Sequence, residues 1–410
     1  MQQPSANPAS IDRAPIPFGE FVALAATLMA LTALGIDSML PALPAIGESL
    51  DVAAPNDRQF VITSFLIGFA VAQLAHGPLS DRFGRRPILG VSLSIAVVTN
   101  LLAAIAGSFE LLLIARFVAG MAVAGARVVT VAMVRDCFAG RAMARVMSLV
   151  FVVFMAAPVL APAFGQVVLL FGPWRWIFVG IAAVAGLALA WFWLRMPETL
   201  APDARTPLRP GPILAGFAMV CRDRMAVGYT LAAALLSGGL FGFINSIQQI
   251  MADLFDAAQW LTVVFACVAG TMALANFLNS RIVMRFGTRL ISHSALTGLI
   301  VIAAIHLGVG LMGLESLPVF IVLQALLMGC FGLAASNFSA MAMENMGGIA
   351  GLASSFQGFV STLGGALVGA AIGQAFDGST VPLYTGFLAM GIAAFAVVAV
   401  AERGRMFRPH

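Results

Sequence analysis

GPLSDRFGRRPILG, residues 77–90, lies between two long apolar runs at 60–75 and 88–107. Its fourteen positions hold one carboxylate (Asp81), three arginines (Arg82, Arg85 and Arg86), three glycines and two prolines. A short turn between two membrane spans is a poor place for so many fixed charges unless they have a task. Gly77, Asp81, Arg82, Gly84, Arg85 and Arg86 set a frame of the form G-x-x-x-D-R-x-G-R-R.

The rest of the chain supports a loop between spans. Of 410 residues, 61% are hydrophobic and 10% charged, where a soluble domain carries about 25% charged residues. The apolar runs are too long and continuous for barrel strands, so they read as helices. Runs bounded by charge, Pro or Gly give twelve spans, near 18–41, 58–80, 88–107, 110–136, 144–171, 174–196, 225–251, 258–283, 290–312, 317–342, 348–375 and 381–401. The predicted architecture is an all-α polytopic membrane protein. It has a disordered tail at 1–17, a six-helix bundle at 18–196, a linker at 197–224, a second six-helix bundle at 225–401 and a tail at 402–410. Within the linker, residues 212–221 are expected to form a short interfacial helix.

The chain has no lysine, so all 22 of its Lys/Arg positions are arginine. If both termini are cytoplasmic, eighteen of the 22 arginines fall on the inner side, Arg58 and Arg175 face outward, and Arg116 and Arg127 lie within a span. That bias is the positive-inside pattern. The arginines are spread over many loops, which argues against a nucleic-acid surface. Four cysteines without paired spacing read as free thiols, and no metal site is expected.

The two halves repeat. Gly165-Gln166 recurs as Gly373-Gln374, and Ala157/Ala161/Gly165 maps onto Gly365/Gly369/Gly373, all at an offset of 208. Both sets are small-xxx-small ladders that permit close helix approach. Asp136 maps onto Glu344, and Arg82-Phe-Gly84-x-Arg86 returns as Arg285-Phe-Gly287-x-Arg289. The second loop has Met284 where the first has Asp81.

Ionisable groups inside spans are expensive and mark function. Three stand well inside: Asp37, Arg116 and Arg127. Asp37 precedes Pro41 and Pro44; a carboxylate there can exchange a proton within the membrane, or it can cap the outer end of the span and reach water. Arg116 begins Arg-Phe-Val-Ala-Gly120 and keeps its charge at any relevant pH. Arg127, eleven residues on, returns to within about 20° of the same helix face. It can bind an electronegative substrate group, pair with a carboxylate lower down, or bridge to the cytoplasmic surface. Pro158, Pro162 and Gly165 predict a kinked, closely packed fifth span. The second half offers Phe241, Phe243, Asn245, Gln248, Asn337 and Gln357 as cavity walls without a mid-span carboxylate. Such walls suit small neutral or amphipathic molecules, and 21 methionines add adaptability.

The loop frame resembles the signature between the second and third spans of the major facilitator superfamily. Arg116–Gly120 resembles the span-4 motif of that family's proton-driven antiporters. Residues 157–165 resemble a degenerate form of their span-5 motif, with Ala161 and Gln166 in place of glycines. With 36–44 and Met133-Val-Arg135-Asp136, the chain is similar to the twelve-span drug/proton antiporters of the bicyclomycin/chloramphenicol-resistance (Bcr/CflA) type. The resemblance is motif-specific in the first half and architectural in the second. It implies a monomeric inner-membrane exporter of bacteria, driven by the proton gradient without a cofactor. Drugs or an endogenous metabolite would be its cargo; a nutrient symporter is the alternative. It further implies proton coupling at Asp37 and Arg116. The gate would lie in the 77–86 loop, where Asp81 meets the N-terminus of span 11 in the outward-open state and Arg85 and Asp136 complete the charge network. No nucleotide-binding motif or catalytic constellation points to an enzyme.

Overall fold

The computed structural model describes residues 14–208 and 210–408, so most of the tail expected at 1–17 lies outside the described residues. Fourteen α-helices account for most of it. The first half contains α1 (Phe18–Asp37), α2 (Leu43–Ser49), α3 (Phe60–Phe83), α4 (Arg85–Ala104), α5 (Phe109–Cys137), α6 (Gly140–Phe171) and α7 (Arg175–Arg195). After α8 (Pro210–Arg222) come α9 (Arg224–Gln249), α10 (Leu261–Phe286), α11 (Thr288–Leu311), α12 (Leu317–Ala342), α13 (Ala350–Gln374) and α14 (Val381–Ala401). Twelve helical segments among the described residues are long and apolar enough to cross a membrane. Helices satisfy every backbone group within the segment, which a bilayer demands.

Within the first half α3 packs on α5, α4 on α7 and α1 on α6; within the second, α9 packs on α13 and α14, and α10 and α11 on α12. The halves meet where α3 lies against α13 and α6 against α10. The loops after the second and eighth spans turn in the same way. Each ends its helix on a glycine in the left-handed region, Gly84 at φ 102° and Gly287 at φ 77°, which a Cβ would oppose.

The first span differs from expectation. It runs over Phe18–Ser49 rather than stopping near 41, and it is broken within. Helix α1 ends at Asp37, a 3₁₀ turn covers Leu40–Ala42, and α2 resumes at Leu43. Pro41 and Pro44 have no N–H to continue the ladder, so the break falls directly after the carboxylate. By contrast, α6 keeps its helical assignment through Pro158 and Pro162.

The glycine ladders bring helices into backbone contact. A Cβ on Gly165 would overlap the Ser38 carbonyl oxygen at the break in the first span. In the second half Gly365 and Gly369 fit against Phe241 of α9, and Gly373 against Asn245.

Candidate functional site

A cavity of about 810 Å³ lies between the halves. It enters from the arginine-rich end, past Asp81, Arg85, Arg135 and Gly351, and stops in mid-span at Ile36, Leu66 and Phe241. Arg127, Phe241 and Gln357 line it. The guanidinium of Arg127 lies 5.8 Å from the centroid of the Phe69 ring. Among the described residues Arg127 joins no ion pair. Helix α13 supplies a neutral, hydroxyl-rich wall. There Gln357 donates to Ser339 at 3.1 Å, and the Ser361 hydroxyl is buried without a partner.

Four residues expected in the walls lie elsewhere. Phe243 is buried, with its ring 5.8 Å from that of Phe265. It stands about 200° round α9 from Phe241, so one faces the cavity and the other the bundle. Asn245 is buried beside Gly373, and Gln248 is buried. Asn337 spends its amide on Asn279 at 2.9 Å and on the Leu333 carbonyl at 2.8 Å.

Asp37 and Arg116 are both buried, and neither lines this cavity; Thr32 and Ile36 present that face of α1. Arg116 donates from Nε to the Val61 carbonyl at 3.2 Å and from Nη2 to the Gly35 carbonyl at 2.5 Å. Its guanidinium lies 4.4 Å from the Phe65 ring centroid. The glycine four residues on explains this reach. A Cβ at Gly120 would overlap the Phe65 carbonyl, so glycine lets α5 press onto α3. Arg116 thus clasps α1 two residues before Asp37. Among the described residues no ion pair joins the two side chains, and Asp37 Oδ1 has no hydrogen-bond partner.

The signature loop is a packed junction. Arg85 pairs with Asp81, donates to Asp136 Oδ2 at 2.9 Å and donates to Ser80 at 2.8 Å. Arg86 donates to the Trp193 carbonyl at 2.9 Å and sits over that residue's ring. Arg82 is exposed, and Gly77 borders the cavity near Ser355. Glu198, from the linker, accepts the backbone N–H of Arg85 at 2.9 Å and of Arg86 at 3.1 Å. A carboxylate there satisfies two orphan donors at the start of α4 and complements the helix dipole. Asp81 makes no such contact with α13, whose first turn has no side-chain cap.

The second half builds a related cluster. Arg289 donates to Glu344 at 3.0 Å and to Glu402 at 2.8 Å, and Tyr229 donates to Glu402 at 2.6 Å. Burial works to raise the Glu402 carboxyl, but the hydrogen bonds from Tyr229 and Arg289 outweigh it and hold the group below its ordinary range.

The opposite end is closed by amides. Asn56 donates to the Gln374 and Phe376 carbonyls, each at 3.0 Å, and Gln374 returns a bond to the Asn56 carbonyl at 2.9 Å. Gln249 donates to Asn56 at 2.8 Å, and Gln59 donates to Gln249 at 2.5 Å and to the Gly373 carbonyl at 3.1 Å. On the other flank Gln166 accepts from Thr262 at 2.6 Å. Sequence reasoning did not single out these residues as a closure. The signal available was the repeated Gly-Gln pair, whose glutamines both reach across the interface.

Comparison with known proteins agrees with this arrangement. Residues 25–369 match the Major Facilitator Superfamily. A Haemophilus influenzae protein named "Bicyclomycin resistance protein homolog" is 32% identical over 366 residues, covering 86% of this chain and 88% of its own. A Pseudomonas aeruginosa "Chloramphenicol resistance protein" is 30% identical over 276 residues, 65% of this chain and 64% of its own. The solved structure of the POT family transporter PepTSo superposes with a TM-score of 0.76 at 15% identity, covering 96% of this chain and 98% of that one.

Proposed function

This chain belongs to the major facilitator superfamily, a multi-pass bacterial membrane transporter, and from that premise we propose that it expels small amphipathic compounds, phenicol- or bicyclomycin-like drugs among them, in exchange for protons. The observation that carries the reading is the inter-bundle cavity, entered from one end and closed by amides at the other. That geometry suits alternating access by rocking of two bundles about a central site. The arginine excess supports a cytoplasmic position for the open end, with cargo entering from inside. The names of the Haemophilus and Pseudomonas relatives support a drug as cargo.

Coupling is assigned to Asp37. It stands at the break of the first span, and its side chain lies outside the cavity face. In this reading protonation of Asp37 alters the break between α1 and α2. Arg116, which grips the Gly35 carbonyl, holds the end of α1 in register while that happens. Cargo and proton then act in alternate states, and the proton gradient is the only drive required. The test is uptake of chloramphenicol, bicyclomycin and a lipophilic cation into everted membrane vesicles. Accumulation that a protonophore abolishes supports proton drive; accumulation that ignores the protonophore refutes it.

A further inference from the structure

We propose that the cavity also takes amphipathic organic anions, with an acidic group of the cargo seated on Arg127 and its planar body against Phe241. The inference rests on the transporter reading and names the substrate class. Sequence alone points to neutral or amphipathic molecules; the placement of Arg127 adds the charge.

Arg127 is half-buried in the wall of the cavity rather than at its mouth. Three arginines and one carboxylate line the space. Arg85 is engaged by Asp81 and Asp136, and Arg135 is exposed near the entrance. Arg127 alone stands inside without an acidic partner among the described residues. The facing walls from α9, α12 and α13 contribute no ionisable group to the lining.

A half-buried cation without a counter-ion is costly, and an anion entering the cavity reduces that cost. The guanidinium presents a planar fork that fits a carboxylate with two parallel bonds. Its position over the buried Phe69 ring helps to hold the fork in place. Across the space the unpartnered Ser361 hydroxyl is a further donor. Arg135 at the entrance attracts the same sign of ligand. Among the described residues that line the cavity a cationic drug meets no carboxylate except Asp81, which is paired with Arg85, and it is repelled by Arg127.

The experiment is equilibrium binding of N-dansylglycine and its uncharged methyl ester to the purified full-length protein, read by fluorescence. The carboxylate is expected to bind about tenfold tighter than the ester. In Arg127→Gln the ratio is expected to fall to near one, and in Arg127→Lys, which keeps the charge, a preference for the carboxylate is expected to survive. Equal affinities in the wild type, or an undiminished ratio in Arg127→Gln, overturn the proposal. If Arg127→Gln fails to fold, the wild-type ratio decides alone. Binding needs no gradient, so the two readings fail separately. A protein that prefers the carboxylate but never moves it keeps the anion site and loses the efflux reading. One that exports cargo yet binds both probes alike does the reverse.

Discussion

Gln166 and Gln374 hold equivalent places in the two halves, and each reaches into the other half. Gln166 accepts from Thr262 at 2.6 Å, and Gln374 donates to the Asn56 carbonyl at 2.9 Å. Each follows a closely packed glycine: Gly165 lies against Ser38 at the break in the first span of its own bundle, and Gly373 lies against Gln59 of the other half and Asn245 of its own. The glycine brings the helix close and the amide beside it ties the halves together.

These amides hold one end of the cavity shut, so their loss should open it. A neutral hydrogen bond contributes about 1 kcal/mol net, and removing two or three shifts a two-state balance by roughly thirty- to a hundred-and-fiftyfold. Gln59→Ala combined with Gln374→Ala is expected to raise the population open at that end. Distances between paired spin labels at the two ends of the cavity measure it. An unchanged distance distribution means the amides are bystanders.

Gly120 controls how close α5 comes to α3, and through that the reach of Arg116 to Val61 and Gly35. Gly120→Ala is expected to cost about 1–3 kcal/mol through overpacking against backbone. Proton-coupled transport should fall in parallel, because Arg116 is pushed off its two carbonyls. Thermal unfolding and vesicle uptake measured on the same variant check both effects.

Asp81 borders the cavity, half-exposed and paired with Arg85, in the state open at its own end. On closure it would meet the N-terminus of α13, where a negative charge contributes about 1 kcal/mol. Asp81→Asn is expected to leave folding and equilibrium binding largely intact and to slow transport roughly three- to tenfold. Unchanged transport would remove the loop from the gate.

Glu402 gives the fold a pH dependence of defined sign. Its carboxyl is held below the ordinary 4.5 in the folded protein. Its contribution is therefore fully present above pH 4.5 and fades as the pH falls through the folded value. Glu402→Gln is expected to lower stability at pH 7 by on the order of 2 kcal/mol, through the weakened bonds to Arg289 and Tyr229. The difference from wild type should shrink steadily below pH 4.5. Thermal unfolding of the two proteins from pH 7 to pH 3 measures it.

The architecture was legible because hydropathy and arginine placement are local and cumulative properties. The signature loop was legible as a motif but not as a junction, since its cap comes from Glu198, more than a hundred residues away. In the sequence the proline pair at 41 and 44 looks like a stop for the first span near Pro41. The chain instead resumes a helix at Leu43 and leaves Asp37 at an internal break. Cavity walls were half legible. Residue type marked Phe241 and Phe243 equally, and only the turn of α9 separates them. The amide closure was hidden because single neutral side chains, up to 320 positions apart in the chain, carry no pattern until the helices are packed.

The central claim is that Asp37 exchanges a proton when cargo binds. Purified protein in a weakly buffered solution with a pH indicator, challenged with a saturating compound that the vesicles accumulate, tests it most directly. The account predicts prompt proton release by the wild type, approaching one proton per protein, and none by Asp37→Asn at equal occupancy. Equal release from both proteins, or none from either while cargo binds, would contradict it.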